Sequence, residues 1–286
     1  MSKTFTITDF MKRFPDDDAC LDHLMTLRYG KELDCPKCGK HGKFTKIKKV
    51  PAYQCSCGHH IHPMVGTPFE KSRTPLQKWF YAMYLFTTSR HGVPAKELQR
   101  QLGVTYKCAW RIGHEIRKYM ANVDGDSGLS GHVEIDEAYI GGREKFIGRP
   151  TSKNSKKTGV LGMLQRNGKI MTRVIDNVQW KTLLPIITEN VKAGSIISTD
   201  EMMSYRILPK LGYDHGRVDH SAKQWKSGIH HTNSIEGFWS HLKRSILGTH
   251  IHVSRQHLPK YLGEFEYRYN MRANPSSMFD RLLVSF

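Results

Sequence analysis

The spacing of apolar positions predicts helices in the first part of the chain. An acidic run at residues 16–18 precedes an apolar-periodic segment that ends at Gly30, the pattern of a short helix with an N-cap and a glycine stop. A second helix follows Ser72 or Thr74 as its cap, with Pro75 at its first position. Large apolar side chains recur on one face of that helix and predict a packed core: Leu76, Trp79, Phe80, Met83 and Tyr84.

Residues 92–120 predict a helix-turn-helix. The first helix covers Lys96–Leu102, the turn lies at 103–105, and the second helix covers Tyr106–Met120, with Ile112 and Ile116 facing inward. The start of the second helix enters the major groove in DNA-binding examples. We therefore expect DNA contacts from Tyr106, Lys107 and Arg111, although the same shape also occurs as a plain packing unit.

The pattern changes after a small, polar, glycine-rich linker at residues 121–131. His132–Ile140 alternates in the manner of a strand, and two further strands join at Asn167-Gly168, a strong hairpin signal. A helix at about 180–192, a strand at Ser195–Thr199 and a mostly helical stretch from 233 to 269 complete the chain. This alternation predicts a mixed α/β core.

Charge indicates what the protein binds. The 286 residues suggest two domains at roughly 150 residues each. Lys and Arg number 44 against 26 Asp and Glu, a net charge of +18 that favours a nucleic-acid partner and that a small-molecule substrate does not explain. The longest near-apolar run, Trp79–Phe86, is too short to span a membrane. The first residues lack the apolar core of a signal peptide, so we expect a cytoplasmic protein.

Four of the six cysteines form two close pairs, a pattern typical of a zinc ribbon. Cys35 and Cys38 are separated by two residues, whereas Cys55 and Cys57 are separated by one, where a ribbon normally has two. We expect one structural Zn²⁺ on Cys35, Cys38, Cys55 and Cys57. His59, His60 or His62 remains open as a replacement for a cysteine of the second pair.

Three acidic residues form a candidate catalytic set. Asp136 lies in a predicted strand, Asp200 follows another, and Glu236 lies on a predicted helix, with 35 residues between the second and the third. Lys243 is about two helical turns beyond Glu236 and on the same face of the helix, where we expect it to bind a phosphate. Phosphodiester cleavage by in-line attack uses two Mg²⁺ ions (or Mn²⁺), and converging carboxylates suit them.

Other acids leave alternatives open for these roles. Glu134, Glu137 and Glu201 are neighbours of the two aspartates in sequence and are alternative metal ligands. Glu236 follows Asn233 by three residues, a capping-box spacing, so it is alternatively a helix cap.

Several motifs together resemble bacterial insertion-sequence transposases with a DDE catalytic core, and more narrowly the ISXO2-like subgroup with an N-terminal zinc ribbon. The motifs, between about Asp16 and Asn274, are CPKCG, CSCG, GTPFEKSRTPLQKWF, VEIDEAYIGG, ISTDEMMSY and HHTNSIEGFWSHLKR. The resemblance implies an RNase H-like α/β fold, a five-stranded mixed sheet with helices on both sides. It also implies Asp136, Asp200 and Glu236 as catalytic metal ligands. Asn233 is the alternative to Glu236 as the third residue of this set.

The resemblance implies cleavage at the ends of the protein's own insertion sequence and joining of the 3′ ends to target DNA. It also implies assembly as a dimer or larger oligomer on double-stranded DNA. We expect four regions: a short helical segment (1–30), the zinc ribbon (31–66), a helical region with the helix-turn-helix (67–122), and the catalytic domain with C-terminal helices (132–275). Further DNA contacts are expected from a basic loop and one helix: Arg143, Lys145, Arg149, Lys153, Lys156, Lys157, Lys243 and Arg244.

Two other functions remain open at this point. A nickase that attacks through a tyrosine would use the His-Ile-His motifs at 60–62 and 250–252 with Tyr261 or Tyr267, but it leaves the three acids unexplained. A catalytically inactive or domesticated zinc-ribbon protein would bind DNA without cutting it.

Overall fold

The computed structural model describes residues 5–122, 128–141, 157–219, 221–222 and 224–285. The chain divides into two compact units. Unit 1 comprises Met1–Ser89, Ala95–Tyr119 and Asn274–Phe286, and unit 2 comprises Arg90–Pro94 and Met120–Ala273.

Unit 1 is mainly helical. Its helices are α1 (Ile7–Arg13), α2 (Asp17–Tyr29), α3 (Leu76–Thr88), α4 (Ala95–Leu102), α5 (Tyr106–Met120) and α9 (Met278–Val284). The predicted bounds of α5 are confirmed, and the Thr105 hydroxyl caps the helix by accepting the backbone N–H of Cys108 at 3.3 Å. The ring of Phe14 packs against those of Phe80 and Phe279, which anchors α3 and α9 in one apolar core.

One helix start differs from the prediction. Helix α3 begins at Leu76, and Pro75 is its N-cap rather than its first residue, with no side-chain cap. Pro75 has an extended backbone, with ψ near 141°, so the helical turn begins one residue later.

The ribbon of unit 1 consists of very short antiparallel strands. β1 (Leu33–Asp34) pairs with β2 (His41–Gly42), and β4 (Tyr53–Gln54) lies between β3 (Thr45–Lys46) and β5 (His60–Ile61). Strands of two residues bury little surface, so this module depends on other contacts. One of them is an ion pair from Lys46 to Asp18 on α2, at 3.0 Å.

Unit 2 is built on a five-stranded mixed sheet in the order β10-β9-β6-β7-β8. The strands are β6 (His132–Ile140), β7 (Thr158–Gln165), β8 (Ile170–Ile175), β9 (Ile196–Thr199) and β10 (Asp214–Arg217). Strands β6, β7 and β8 form an antiparallel meander, and β9 and β10 are parallel to β6. The β7–β8 turn has Asn167 at φ 57°, which confirms the predicted hairpin.

Helices cover both faces of this sheet. On one face α6 (Trp180–Asn190) packs with Val133, Ile135 and Leu161. On the other, α7 (Asn233–Ser245) and α8 (Leu258–Asn270) pack with Ala138 and Val160. This arrangement confirms the predicted RNase H-like α/β architecture. Across the parts of the chain that the structure describes, none of the helices combines the length and apolar character that crossing a membrane requires.

Candidate active site

The parallel register of β6 and β9 places Asp136 beside Asp200. The register pairs His132 with Ile196 and Glu134 with Ser198, a constant offset of 64 residues. Asp200 follows the last residue of β9 and is also 64 residues from Asp136. The two carboxylates therefore lie at the same level of the sheet, one on its central strand and one just past the end of the neighbouring strand.

Glu137 joins these two aspartates. Carboxylate oxygens of Asp136, Glu137 and Asp200 all lie within 4.8 Å of one another. Neighbouring residues of a strand point to opposite faces, and Glu137 accordingly accepts a hydrogen bond from Tyr205 in the α6-side core. Asp200 lies beyond the end of β9, where it is within reach of both side chains.

The pKa values of this cluster reflect its burial first and the crowding of acids second. Burial raises the pKa of Asp136 to about 6, and the charges of Asp200 and Glu236 act in the same direction. Burial likewise raises the pKa of Glu137 to about 8, with further contributions from Asp136 and Asp200, while the Tyr205 hydrogen bond opposes the shift. A group of carboxylates that repel one another in this way is suited to hold a divalent cation, which compensates their charges.

Glu134 has a different role. Its carboxylate is fully buried and accepts hydrogen bonds from Arg166 Nε at 2.7 Å and from the backbone N–H groups of Ser234 at 2.9 Å and Ile235 at 3.0 Å. It therefore caps the first turn of α7 from the central strand, as a carboxylate at a helix N-terminus does. This contact fixes the start of α7 against β6.

The third predicted ligand, Glu236, lies on the first turn of α7. It is exposed, it accepts a hydrogen bond from the Thr232 hydroxyl at 2.6 Å, and its charge contributes to the raised pKa of Asp136. It is not one of the three acids whose oxygens lie within 4.8 Å of one another. Lys243 and Arg244 are exposed near the other end of the same helix, and Asn233 is exposed at its first residue.

The remaining acidic alternative, Glu201, accepts a hydrogen bond from the Ser221 hydroxyl at 2.7 Å.

The structure also shows the surroundings of the two tyrosines that the nickase alternative would use. Tyr267 is 1% exposed within unit 2, and the ring of Tyr261 packs edge-on against His250 at 4.8 Å between centroids. A buried hydroxyl cannot attack DNA without opening the core, so Tyr267 does not suit that chemistry.

In unit 1, the four ribbon cysteines converge on one point. Their sulfur atoms all lie within 4.8 Å of one another, with Cys35 to Cys57 at 3.6 Å and Cys38 to Cys55 at 3.7 Å. Tetrahedral zinc with Zn–S bonds of about 2.3 Å requires sulfurs about 3.8 Å apart, so the cluster fits the ion. The backbone N–H of Cys57 lowers the pKa of the Cys55 thiol to about 6, which favours the thiolate that binds metals.

The short spacing of the second cysteine pair does not prevent this convergence. Within the described residues, the sulfur cluster contains all four cysteines, and His59, His60 and His62 do not contribute ligand atoms to it.

The predicted DNA-contacting residues of α5 lie at its first turns. Tyr106 and Lys107 are exposed, and Lys96 lies over the Tyr106 ring at 4.9 Å. The Arg111 guanidinium lies over the Trp79 ring at 5.3 Å, so this side chain also packs within unit 1. Of the basic loop, only Lys157 falls within the described residues, where it is exposed; the others lie outside them, namely Arg143, Lys145, Arg149, Lys153 and Lys156.

Comparison with known proteins identifies relatives of both parts of the chain. The ISXO2-like transposase domain matches residues 128–270, and the transposase zinc-ribbon domain matches residues 15–60. The chain is 39% identical over 102 residues to an uncharacterized transposase-like protein of Haemophilus influenzae, covering 36% of this chain and 81% of that protein. It is 24% identical to an uncharacterized protein in transposable element ISH50 of Halobacterium salinarum, covering 93% and 95% of the two chains.

A pre-cleavage Mos1 transpososome is similar to this chain at 14% identity and a TM-score of 0.30, over 72% of this chain and 78% of that chain.

Proposed function

This chain belongs to the ISXO2-like transposase family, and we propose that it cuts the ends of its own insertion sequence and joins the freed 3′ ends to target DNA. The observation that carries the proposal is the convergence of Asp136, Glu137 and Asp200 at the end of β9. Three carboxylates within 4.8 Å of one another are costly to bury unless a cation or protons compensate them. In a transposase family, a divalent metal centre for phosphodiester chemistry accounts for that cost.

In the proposed centre, Asp136, Asp200 and Glu236 hold two Mg²⁺ or Mn²⁺ ions. When bound, such ions lower the pKa of the attacking water or 3′-hydroxyl and neutralise charge on the leaving oxygen. Asp136 would help to hold both ions, because it lies on the central strand, between Asp200 and α7. Glu137 is a further ligand or proton acceptor on the side of Asp200, where Tyr205 orients it.

The other residues of the site position DNA and helix α7. Lys243 binds a phosphate near the reacting centre, on the helix that carries Glu236. Glu134 and Arg166 keep the first turn of that helix on β6, so they are positioning residues that do not touch the substrate. Arg244 and the basic loop are proposed to bind the DNA backbone, which is the largest source of protein–DNA affinity.

Unit 1 is proposed to bind the ends of the element. A Zn²⁺ on Cys35, Cys38, Cys55 and Cys57 would stabilise the ribbon, and Tyr106, Lys107 and Arg111 would contact DNA from α5. Residues 1–30, 31–66, 67–122 and 132–275 are proposed as the helical segment, ribbon, helix-turn-helix region and catalytic domain. Because two ends must be joined together, we propose a dimer or larger assembly on DNA.

A strand cleavage and joining assay in Mg²⁺ or Mn²⁺, run beside a DNA-binding assay, tests this proposal. The DNA carries the terminal sequences that flank the chain's own reading frame. Asp136→Asn, Asp200→Asn and Glu236→Gln should lose essentially all cleavage and joining while DNA binding persists. Lys243→Ala should retain more activity, because it is not a metal ligand. Glu189→Gln, on α6, is a matched control for removal of a carboxylate and should remain active.

Two outcomes would change the assignment. If the Glu236→Gln protein stays active and the Asn233→Ala protein is inactive, Asn233 is the third catalytic residue in place of Glu236. If the wild-type protein binds the ends but cuts nothing in either metal, the protein is the inactive, DNA-binding alternative.

A further inference from the structure

A partly apolar cavity of about 470 Å³ lies in unit 2 and is lined by residues of β6, α7 and the segment after α7. Tyr139, Leu247 and Ile251 line it and are 53%, 66% and 80% exposed. Lys243 lies at the same cavity. Large apolar side chains grouped at a surface mark a binding site more often than solitary ones do.

The backbone beside the cavity is irregular. Helix α7 passes into a π-helical turn at Ile246–His250, and Ile251 follows with φ 63° and ψ −55°. A positive φ is costly for a β-branched residue, and π-helical turns occur frequently at functional sites. With this backbone, the Ile251 side chain lies exposed at the cavity. Burial in the protein core therefore does not compensate the cost of its backbone conformation.

The cavity is close to the proposed catalytic acids along two elements. Ile140, which also lines the cavity, lies four residues beyond Asp136 on the same face of β6, about 13 Å along the strand. That distance corresponds to about four base steps of DNA. Lys243 lies two helical turns beyond Glu236 on α7. A DNA strand bound with a phosphate at the acids would therefore bring a nucleotide about four steps away to this cavity.

We propose that the cavity binds an unpaired nucleobase about four steps from the scissile phosphate, with the base against Tyr139, Leu247 and Ile251 and its phosphate on Lys243. A base inside a duplex is stacked and cannot enter a pocket, whereas an extruded base can. An aromatic ring beside aliphatic side chains suits the face of any base, and the lysine matches the phosphate charge. This inference rests on the proposed function, because it places the scissile phosphate at Asp136.

Binding without Mg²⁺ or Mn²⁺ tests the inference separately from catalysis. The probes are two short duplexes of one sequence in buffer without Mg²⁺ or Mn²⁺ and without a chelator, which leaves the ribbon zinc in place. One duplex has a fluorescent aminopurine paired to thymine, and the other has it as an unpaired bulge. The wild-type protein should bind the bulged duplex about tenfold more tightly, since stacking of one base is worth roughly 5- to 150-fold. It should also quench the aminopurine fluorescence. Tyr139→Phe, which keeps the ring, should retain the preference, and Tyr139→Ala and Leu247→Ser should lose it while binding the paired duplex unchanged.

Two control variants separate this inference from the proposed function. Trp225→Ala removes another exposed aromatic ring of unit 2, 60% exposed, and should keep the preference. Asp136→Asn should also keep it, although it is expected to abolish cleavage. An Asp136→Asn protein that still cuts DNA would therefore overturn the catalytic assignment, and the binding result without Mg²⁺ or Mn²⁺ would still decide for or against the cavity.

Three results would overturn the inference. The first is equal binding of both duplexes by the wild type, and the second is a preference that survives Tyr139→Ala. The third is a DNA-free oligomer that dissociates on Leu247→Ser in analytical ultracentrifugation, which would assign the patch to contact with a second copy of the chain.

Discussion

Gly162 lies directly against the indole ring of Trp239. A Cβ at position 162 would stand 2.4 Å from Cζ2 of that ring, a separation that side chains do not tolerate. Gly162 is also the cross-strand partner of Asp136, and Trp239 follows Glu236 by about one helical turn. The absence of a side chain on β7 therefore lets α7 approach the sheet at the level of the proposed metal ligands.

Replacement of Gly162 by alanine should consequently displace α7. We expect a loss of about 1–3 kcal/mol in the free energy of unfolding, the usual effect of overpacking a core. Cleavage should fall by more than DNA binding, because Glu236 moves relative to Asp136. Urea unfolding, the cleavage assay and DNA binding together measure this.

Gly237→Ala is the matched control for that change. It adds the same methyl group on α7 beside Glu236. Within the described part of the chain, no atom outside its two chain neighbours and the backbone of its own helix lies within 4 Å of that methyl, and alanine is favoured over glycine in helices by about 1 kcal/mol. It should leave stability unchanged or raise it. A Gly162→Ala protein as stable and active as Gly237→Ala would contradict the close packing described here.

Metal affinity should depend on pH through the acid cluster. The pKa of Asp136 is raised to about 6 and that of Glu137 to about 8, chiefly by burial. A divalent cation binds the deprotonated carboxylates, so Mn²⁺ affinity should increase with pH through this window and level off above it. Calorimetric titration with Mn²⁺ measures the profile, and Glu137→Gln should remove its upper part. A flat profile from pH 5 to 9 would show that these two groups do not bind the ion.

The metal-free protein should show the opposite dependence. Because both pKa values are raised in the folded state, the folded protein keeps protons that the unfolded chain has already released. The stability from these groups is present at pH values below the ordinary carboxyl pKa, and it is lost as the pH rises through about 6 and then about 8. Urea unfolding in EDTA at several pH values, compared with Glu137→Gln, should show this loss mainly in the wild type.

Zinc content tests the ribbon. Purified protein should contain about one zinc per chain, and Cys35→Ser, Cys38→Ser, Cys55→Ser and Cys57→Ser should each lose it, because the four sulfurs share one site. His59→Ala and His62→Ala are the controls and should retain zinc. Zinc retained in Cys55→Ser but lost in His59→Ala or His62→Ala would instead make a histidine the fourth ligand.

Salt dependence tests the basic loop. Each phosphate neutralised by the protein contributes roughly −0.9 to the slope of log affinity against log salt. Replacement of Arg143, Lys145 and Arg149 by alanine should flatten this slope by about 2 to 3 units without a change in sequence preference. A control protein loses the same charge from exposed lysines elsewhere in unit 2, at 181, 192 and 210. Equal slopes for the two triple variants would show that the loop residues do not neutralise DNA phosphates.

Local patterns in the sequence were enough to predict much of the secondary structure. Apolar spacing predicted the bounds of α5 and the burial of Ile112 and Ile116, since helical periodicity depends only on neighbouring residues. The Asn167-Gly168 pair predicted the hairpin for the same reason. The family motifs indicated Asp136 and Asp200 as a pair, and the +18 charge indicated nucleic acid.

Only the tertiary structure decided which acids meet. The register between β6 and β9 brings Asp136 to Asp200, and it also admits Glu137, which strand alternation alone would direct to the opposite face. The docking of α7 against β6 makes Glu134 the cap of that helix, a role that the sequence suggested for Glu236 as an alternative. The pairing register joins residues 64 positions apart, and the docking of α7 joins residues 100 positions apart, so neither leaves a local pattern in the sequence.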